Sequence, residues 1–159
     1  MPHFQNNEPN YIQQADLLFL PNDDGYKYAL VVIDTSTRLL DAVPLKNKLA
    51  KNVKEGFETI YDRGIIKLPK FIETDPGTEF KGEVKTYFSK NGVHMKYGKP
   101  GRHRQQGIVE SANKTIGKAL SMRMTAQELL TNEQSNEWID DLPLIITAMN
   151  KVAKKTKTY

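Results

Sequence analysis

The chain has no cysteine among its 159 residues. That removes disulfide frameworks, CxxC redox chemistry, thiol nucleophiles and zinc ribbons. Histidine is scarce, with only His3, His94 and His103. A His-rich metal site is therefore excluded, and any metal must be a hard cation held by carboxylates. No run reaches the ~18–20 apolar residues of a membrane span. Met1 to Tyr11 lacks the basic-then-apolar order of a signal peptide. Internal repeats and low-complexity tracts are missing as well. Together these absences set the expectation of an intracellular, reducing compartment and no membrane partner.

What is present suits one globular domain with a proper core. Hydrophobic residues make up 38% and charged residues 26%. Lys and Arg number 23 against 19 Asp and Glu, a net charge of +4. So small a total permits a polyanionic partner without requiring one. Residues 1–12 are polar and aperiodic and read as a loose leader. The core is expected over 13–153, with a basic tail over 154–159.

Ala15–Leu20 is a short apolar run broken by Asp16, and Asn22-Asp23-Asp24-Gly25 reads as a hairpin turn. Tyr28–Ile33 reads as a buried strand and Arg38–Leu45 as a third strand, which makes an antiparallel meander. Leu49, Val53, Phe57, Ile60 and Tyr61 then recur at helical spacing and predict a core-facing helix ending near Gly64. Phe71-Ile72 forms a fourth strand, ended by Asp75-Pro76-Gly77. A helix is predicted from Phe80 to Asn91, stopped by Gly92, and a fifth strand over Val93–Tyr97. Gly98–Gln106 reads as a loop. Val109, Ala112, Ile116 and Leu120 predict another helix. Trp138, Leu142, Ile145 and Met149 predict the last, with Pro143 tolerable only in its first turn or at a kink. The order βββ-α-β-α-β-α-α describes an α/β fold with a mixed five-stranded sheet flanked by helices.

Three acids stand in unusual places. Asp16 interrupts an apolar strand, where a lone carboxylate costs free energy unless paired or metal-bound. Asp75 follows the fourth strand directly. Glu110 opens a helix after a basic, glycine-containing loop. Each has an ordinary reading: a hairpin acid, turn chemistry and a complement to the helix dipole. Taken together they suggest more. If the first and fourth strands are neighbours, the helix bearing Glu110 can cross their ends. Three converging carboxylates would repel one another and have raised pKa values without a cation. Two divalent ions would neutralise them and clamp a phosphodiester.

These residues carry a family resemblance. Gln14-Ala15-Asp16, Tyr26–Asp34, Thr74-Asp75-Pro76-Gly77-Thr78-Glu79-Phe80 and Arg104-Gln105-Gln106-Gly107-Ile108-Val109-Glu110 follow one another in a familiar order. Ser111-Ala112-Asn113-Lys114 extends the last match, and Trp138–Asn150 looks like a closing helix. Over about residues 12–150 the chain resembles the catalytic core of retroviral and retrotransposon integrases. That is the D,D-35-E group of ribonuclease H-like fold, and the flavour is nearer to retrotransposon and Maverick/Polinton-type integrases than to lentiviral ones. Two departures stand out. Only 34 residues separate Asp75 from Glu110, and Pro76 stands where the family commonly has Asn, which removes one N–H beside the site. The family's zinc-binding and C-terminal DNA-binding domains are expected to lie outside this chain, as for an excised core or a piece of a longer protein.

The resemblance implies a polynucleotidyl transferase with Asp16, Asp75 and Glu110 as catalytic metal ligands. They would hold two Mg²⁺ or Mn²⁺ ions for 3′-end processing and strand transfer of a virus or mobile element, with weak activity from the core alone. It also implies double-stranded DNA as partner (element ends and target), a homodimer or higher oligomer, and a place in the host nucleus or the element's particle. Lys114 and Lys118 follow Glu110 at i+4 and i+8 on one helix face and would meet DNA phosphates. Gln106 and Asn113 flank Glu110 and would touch the DNA end. Lys99, Arg102 and Arg104 make the preceding loop basic, and Asp34 is read as a structural strand-end acid. Between Lys96 and Lys118 there are six basic residues and one acid, Glu110, so this window is more positive than the whole chain. Two other readings stay open: a ribonuclease H-type nuclease acting on hybrids, and a domesticated, inactive DNA-binding or assembly module.

Overall fold

The computed structural model describes residues 8–98 and 107–156. Its elements are β1 (Ile12–Asp23), β2 (Tyr26–Asp34), β3 (Leu40–Leu45), α1 (Ala50–Arg63), β4 (Phe71–Thr74), a 3-10 turn (Thr78–Phe80), α2 (Glu83–Lys90), β5 (His94–Tyr97), α3 (Gly107–Thr131) and α4 (Leu142–Lys155). This is the predicted order with a 3-10 turn added. The expected loop over Gly98–Gln106 lies outside the described residues beyond Gly98.

The strands form one sheet in the order β3-β2-β1-β4-β5. β1 pairs antiparallel with β2, and β2 with β3. β1 pairs parallel with β4, and β4 with β5. The sheet is therefore mixed, and β1 and β4 are neighbours as the sequence suggested. β1 runs longer than its apolar stretch because the hairpin pairs out to Asp23↔Tyr26. Asp24 and Gly25, at φ 52° and 89°, are both left-handed, as a two-residue type I′ turn requires.

The unbroken apolar run of β2 has a simple cause: both faces of the sheet are covered. Leu30 and Val32 point into one core with Val53, Phe57 and Ile60 of α1 and Val84 and Phe88 of α2. Ala29, Val31 and Ile33 point into a second core with Val109, Ala112, Ile116 and Leu120 of α3 and Leu142, Ile145 and Ile146 of α4. On α1, Gly56 marks a close approach, since a Cβ there would come within 3.0 Å of Leu30 Cδ2.

Three expectations need correction. Leu49 is not core: it stands at the N-cap of α1 in extended conformation, 63% exposed. Phe80 is buried but lies in the 3-10 turn, and the chain bends at Lys81-Gly82 before α2 starts at Glu83. Trp138 is not helical. Its N–H and that of Ile139 both donate to Asp23 Oδ2, at 2.8 and 2.9 Å, and its indole Nε1 donates to the Pro21 carbonyl at 2.7 Å. Those bonds pin the segment to the β1–β2 hairpin, so α4 begins only at Leu142, with Pro143 in its first turn.

Candidate active site

Side chains alternate along a strand. In β1 this sends Ala15 and Leu17 into the α1/α2 core, while Leu18 and Leu20 pack on the α3/α4 side. Gln14 and Asp16 share that second face, across which α3 runs. Asp16 Oδ1 accepts the N–H of Leu17 at 2.9 Å. Its Oδ2 accepts Nδ2 of Asn113 at 3.2 Å. Asn113 is three residues beyond Glu110, one turn further along α3.

Asp75 follows β4 directly, beside β1 in the sheet. Its Oδ1 accepts the N–H of Gly77 at 2.8 Å, a local turn bond that steps over Pro76 and its missing N–H. The Thr74 carbonyl accepts the N–H of Gly98 at 2.7 Å and closes the turn on β5. Glu110 lies in the first turn of α3 and is exposed. A carboxylate there is favoured by the positive end of the helix.

Electrostatics links the three acids. Burial pushes the Asp16 carboxyl up from 3.8 to about 6. The Leu17 N–H pulls it back, and the charges of Asp75, Glu110 and Glu79, in that order, push it up again. Glu79 carried no assignment in the sequence. Its carboxylate folds back over Gly77, in the space a Cβ there would need. Among the described residues no group of three or more His, Cys, Asp or Glu side chains is gathered closely enough to hold a metal ion by itself. The donor chemistry nonetheless fits a hard divalent cation. The donors are carboxylate oxygens, one of them is half-buried, and the field of its neighbours penalises its charge. Asn113 Oδ1 is a further buried oxygen with no hydrogen-bond partner.

Lys114 and Lys118 are exposed on α3. Among the described residues Glu110 and Lys114 form no ion pair. Asn113, expected at DNA, donates to the Asp16 carboxylate in this structure. Lys99, Arg102, Arg104 and Gln106 lie outside the described residues. Asp34 is fully buried and caps the β2–β3 turn, accepting the N–H and hydroxyl of Thr37 at 3.2 and 2.7 Å. Its carboxylate is taken up by that turn. Sequence reasoning gave Gln14 no role. Its place inside the matched Gln14-Ala15-Asp16 motif was the available signal.

Known proteins share this sequence pattern and fold. The family model described as "Integrase core domain" matches residues 6–103. The Gag-Pol polyprotein of Walleye dermal sarcoma virus is 33% identical over 132 residues, covering 80% of this chain and 7% of that protein. The Pol polyprotein of Radiation murine leukemia virus is 32% identical over 124 residues, covering 77% of this chain and 20% of that protein. The chain thus spans a fifth or less of these two relatives. Among solved structures, the simian T-cell lymphotropic virus intasome in complex with PP2A regulatory subunit B56 gamma aligns with a TM-score of 0.70 at 15% identity, over 92% of this chain and 49% of that one. The HTLV-2 integrase catalytic core domain in complex with magnesium, in a trimeric form, aligns with a TM-score of 0.62 at 20% identity, over 89% of this chain and 83% of that one. The shared fold is the five-stranded mixed sheet flanked by helices. With this sequence match and this architecture, the chain belongs to the integrase core domain family, as a catalytic core of the retroviral type.

Proposed function

We propose that the chain is the catalytic core of a DNA integrase, with Asp16, Asp75 and Glu110 as its metal ligands. The observation that carries this reading is geometric: Asp16 lies on β1 beside β4, which Asp75 follows directly, and Asn113, one turn beyond Glu110 on α3, donates to its carboxylate. Divalent ions bound there, Mg²⁺ or Mn²⁺, would supply a polarised oxygen nucleophile and charge neutralisation at the leaving 3′ oxygen. The chain's own residues do the rest. Asn113 and the Leu17 N–H fix the Asp16 carboxylate. The Gly77 N–H fixes that of Asp75. Lys114 and Lys118 present cations to DNA phosphates one and two turns beyond Glu110. Gln106 and Asn113 flank Glu110 in the sequence and would touch the DNA end, and Lys99, Arg102 and Arg104 would extend the basic strip.

The reactions in this reading are 3′-end processing and strand transfer on double-stranded DNA. Both are in-line displacements that need no covalent protein intermediate. The core spans 13–153, works as a dimer or larger assembly on DNA, and acts in the host nucleus or the element's particle. The magnesium in the HTLV-2 core structure and the trimeric form of that protein support the cofactor and the assembly. No helix among the described residues is long and apolar enough to cross a membrane.

The test offers the protein a viral-end DNA duplex and an RNA–DNA hybrid in parallel, with Mg²⁺ or Mn²⁺. Metal-dependent processing of the duplex, lost in Asp75→Asn, is the expected result. Cleavage of the hybrid alone would replace the integrase reading with a ribonuclease H one. No metal binding at millimolar concentration would leave a DNA-binding or assembly module.

A further inference from the structure

Gln14 lies two residues before Asp16 on the same face of β1 and is 5% exposed. A primary amide so buried needs partners for both its ends. Its Nε2 donates to Glu73 Oε1 at 3.0 Å. Its Oε1 accepts the N–H of Val109 at 3.0 Å. Glu73 is also the direct partner of Gln14 in the parallel β1–β4 ladder. Glu73 stands two residues before Asp75, and Val109 immediately precedes Glu110. One side chain therefore reaches the immediate neighbourhood of all three acids, from three separate elements. Val109 is the third residue of α3, among the amides that a helix leaves without an intrahelical acceptor. The acceptor it receives comes from the sheet.

We infer that Gln14 is a positioning residue, whose amide ties β1, β4 and the N-terminus of α3 together and so sets the spacing of Asp16, Asp75 and Glu110. The inference rests on the reading of those three acids as metal ligands. In this role Gln14 acts through the three acids and not on the ion itself. A purely structural amide would contribute stability alone, whereas a positioning amide also governs how well the acids bind a cation.

Three proteins separate the two roles: wild type, Gln14→Met, and the exchange Gln14→Glu with Glu73→Gln. Methionine keeps the length and removes the bonds to Glu73 and Val109. The exchange keeps the net charge and remakes both bonds, with Gln at 73 donating to Glu at 14 and the second Glu oxygen left for Val109. Two readouts are taken well below the unfolding temperature. One is amide hydrogen exchange at Val109 in metal-free protein, and the other is Mn²⁺ affinity by electron paramagnetic resonance of the free ion. Gln14→Met should speed exchange at Val109 and weaken Mn²⁺ binding, each by about tenfold, which corresponds to roughly 1.4 kcal/mol. The double exchange should restore both to within about threefold of wild type (roughly 0.65 kcal/mol). Faster exchange with unchanged Mn²⁺ affinity, or no change in either, overturns the inference. If Gln14→Met does not fold, Gln14→Glu alone is compared with the double exchange. The inference then requires weaker Mn²⁺ binding by the single variant despite its extra negative charge, and equal binding overturns it. Failure of the underlying reading looks different: wild-type Mn²⁺ binding would be indifferent to Asp16→Asn.

Discussion

The side-chain amide of Asn113 donates to the Asp16 carboxylate across 3.2 Å, while its own carbonyl oxygen is buried without a partner. The bond joins the middle of β1 to α3 one turn beyond Glu110. It spends a donor on the acid and leaves an acceptor unsatisfied, an arrangement that adds little to stability. A hydrogen bond to a charged group contributes about 1.5–3 kcal/mol, and an orphaned buried oxygen costs about 1–3 kcal/mol. The two nearly cancel. Asn113→Ala is therefore expected to change stability by no more than about 1 kcal/mol. It should nonetheless lower Mn²⁺ affinity, because the Asp16 carboxylate is freed to rotate. Thermal melts and Mn²⁺ titration on the same preparation check this. A large fall in Tm with unchanged metal affinity would make Asn113 a packing residue.

Asp16 makes stability depend on pH in a definite direction. Its carboxyl titrates at about 6 in the fold against 3.8 for an ordinary aspartate. Between those values the folded chain binds more protons at this site than the unfolded one, so stability falls as pH rises through the window. Below it the penalty is absent, and above it the penalty is complete. The shift is worth at most about 3 kcal/mol, and partial solvent access reduces that to about 1–2 kcal/mol. Asp16→Asn removes the charge while keeping an acceptor for Leu17. In EDTA at pH 7.5 the variant should melt roughly 3–8 °C above wild type, with the difference shrinking towards pH 3.5. Millimolar Mn²⁺ should reverse the order, since only wild type gains from the bound ion. A difference in Tm that stays constant with pH would dispose of the burial argument.

The architecture was readable because its signals are local. The apolar runs of β1 and β2, the 3.6-residue periods of α1 and α3 and the Asp24-Gly25 turn can each be read within a few residues. The misreading of Trp138 has a partner distant in sequence as its cause. Trp138 fits the helical period of α4, yet Asp23, 115 residues earlier, takes its N–H. Leu49 matches the α1 stripe but stands one residue before the helix, where no core surrounds it. The candidate site divides the same way. An acid inside an apolar strand marks Asp16, and a strand-ending turn marks Asp75. Nothing local to Asn113 or Gln14 announces partners 97 and 95 residues away.

Asn150 carries a stability prediction independent of the site. It is buried in α4 at 8% exposure. Its Oδ1 accepts the Leu40 N–H and its Nδ2 donates to the Leu40 carbonyl, both at 2.9 Å. β3 is an edge strand, so these backbone groups have no further strand to pair with, and the Asn side chain closes the edge in place of one. Asn150→Ala orphans two buried backbone groups at once. The expected cost is about 2–4 kcal/mol, a fall in Tm of roughly 5–15 °C. The α4 variant Val152→Ala, at a 63% exposed position, serves as the control and should melt close to wild type.

Lys114 and Lys118 test whether the α3 face meets phosphates. Both are exposed, and among the described residues Lys114 is not tied to Glu110 by an ion pair. Replacing either by Ala should leave Tm within about 0.5 kcal/mol equivalents of wild type. DNA binding behaves differently. Each lysine that neutralises a phosphate releases a counterion, so its loss should lower the slope of log affinity against log salt by about one and weaken binding at low salt irrespective of sequence. Lys114, one turn from Glu110, should matter more for a duplex presenting a processed 3′ end than for an internal stretch of duplex. Fluorescence anisotropy over a salt series on both DNAs measures the two effects together. An unchanged salt slope for both variants would confine these lysines to a solvated helix face and move the DNA contacts elsewhere on the chain.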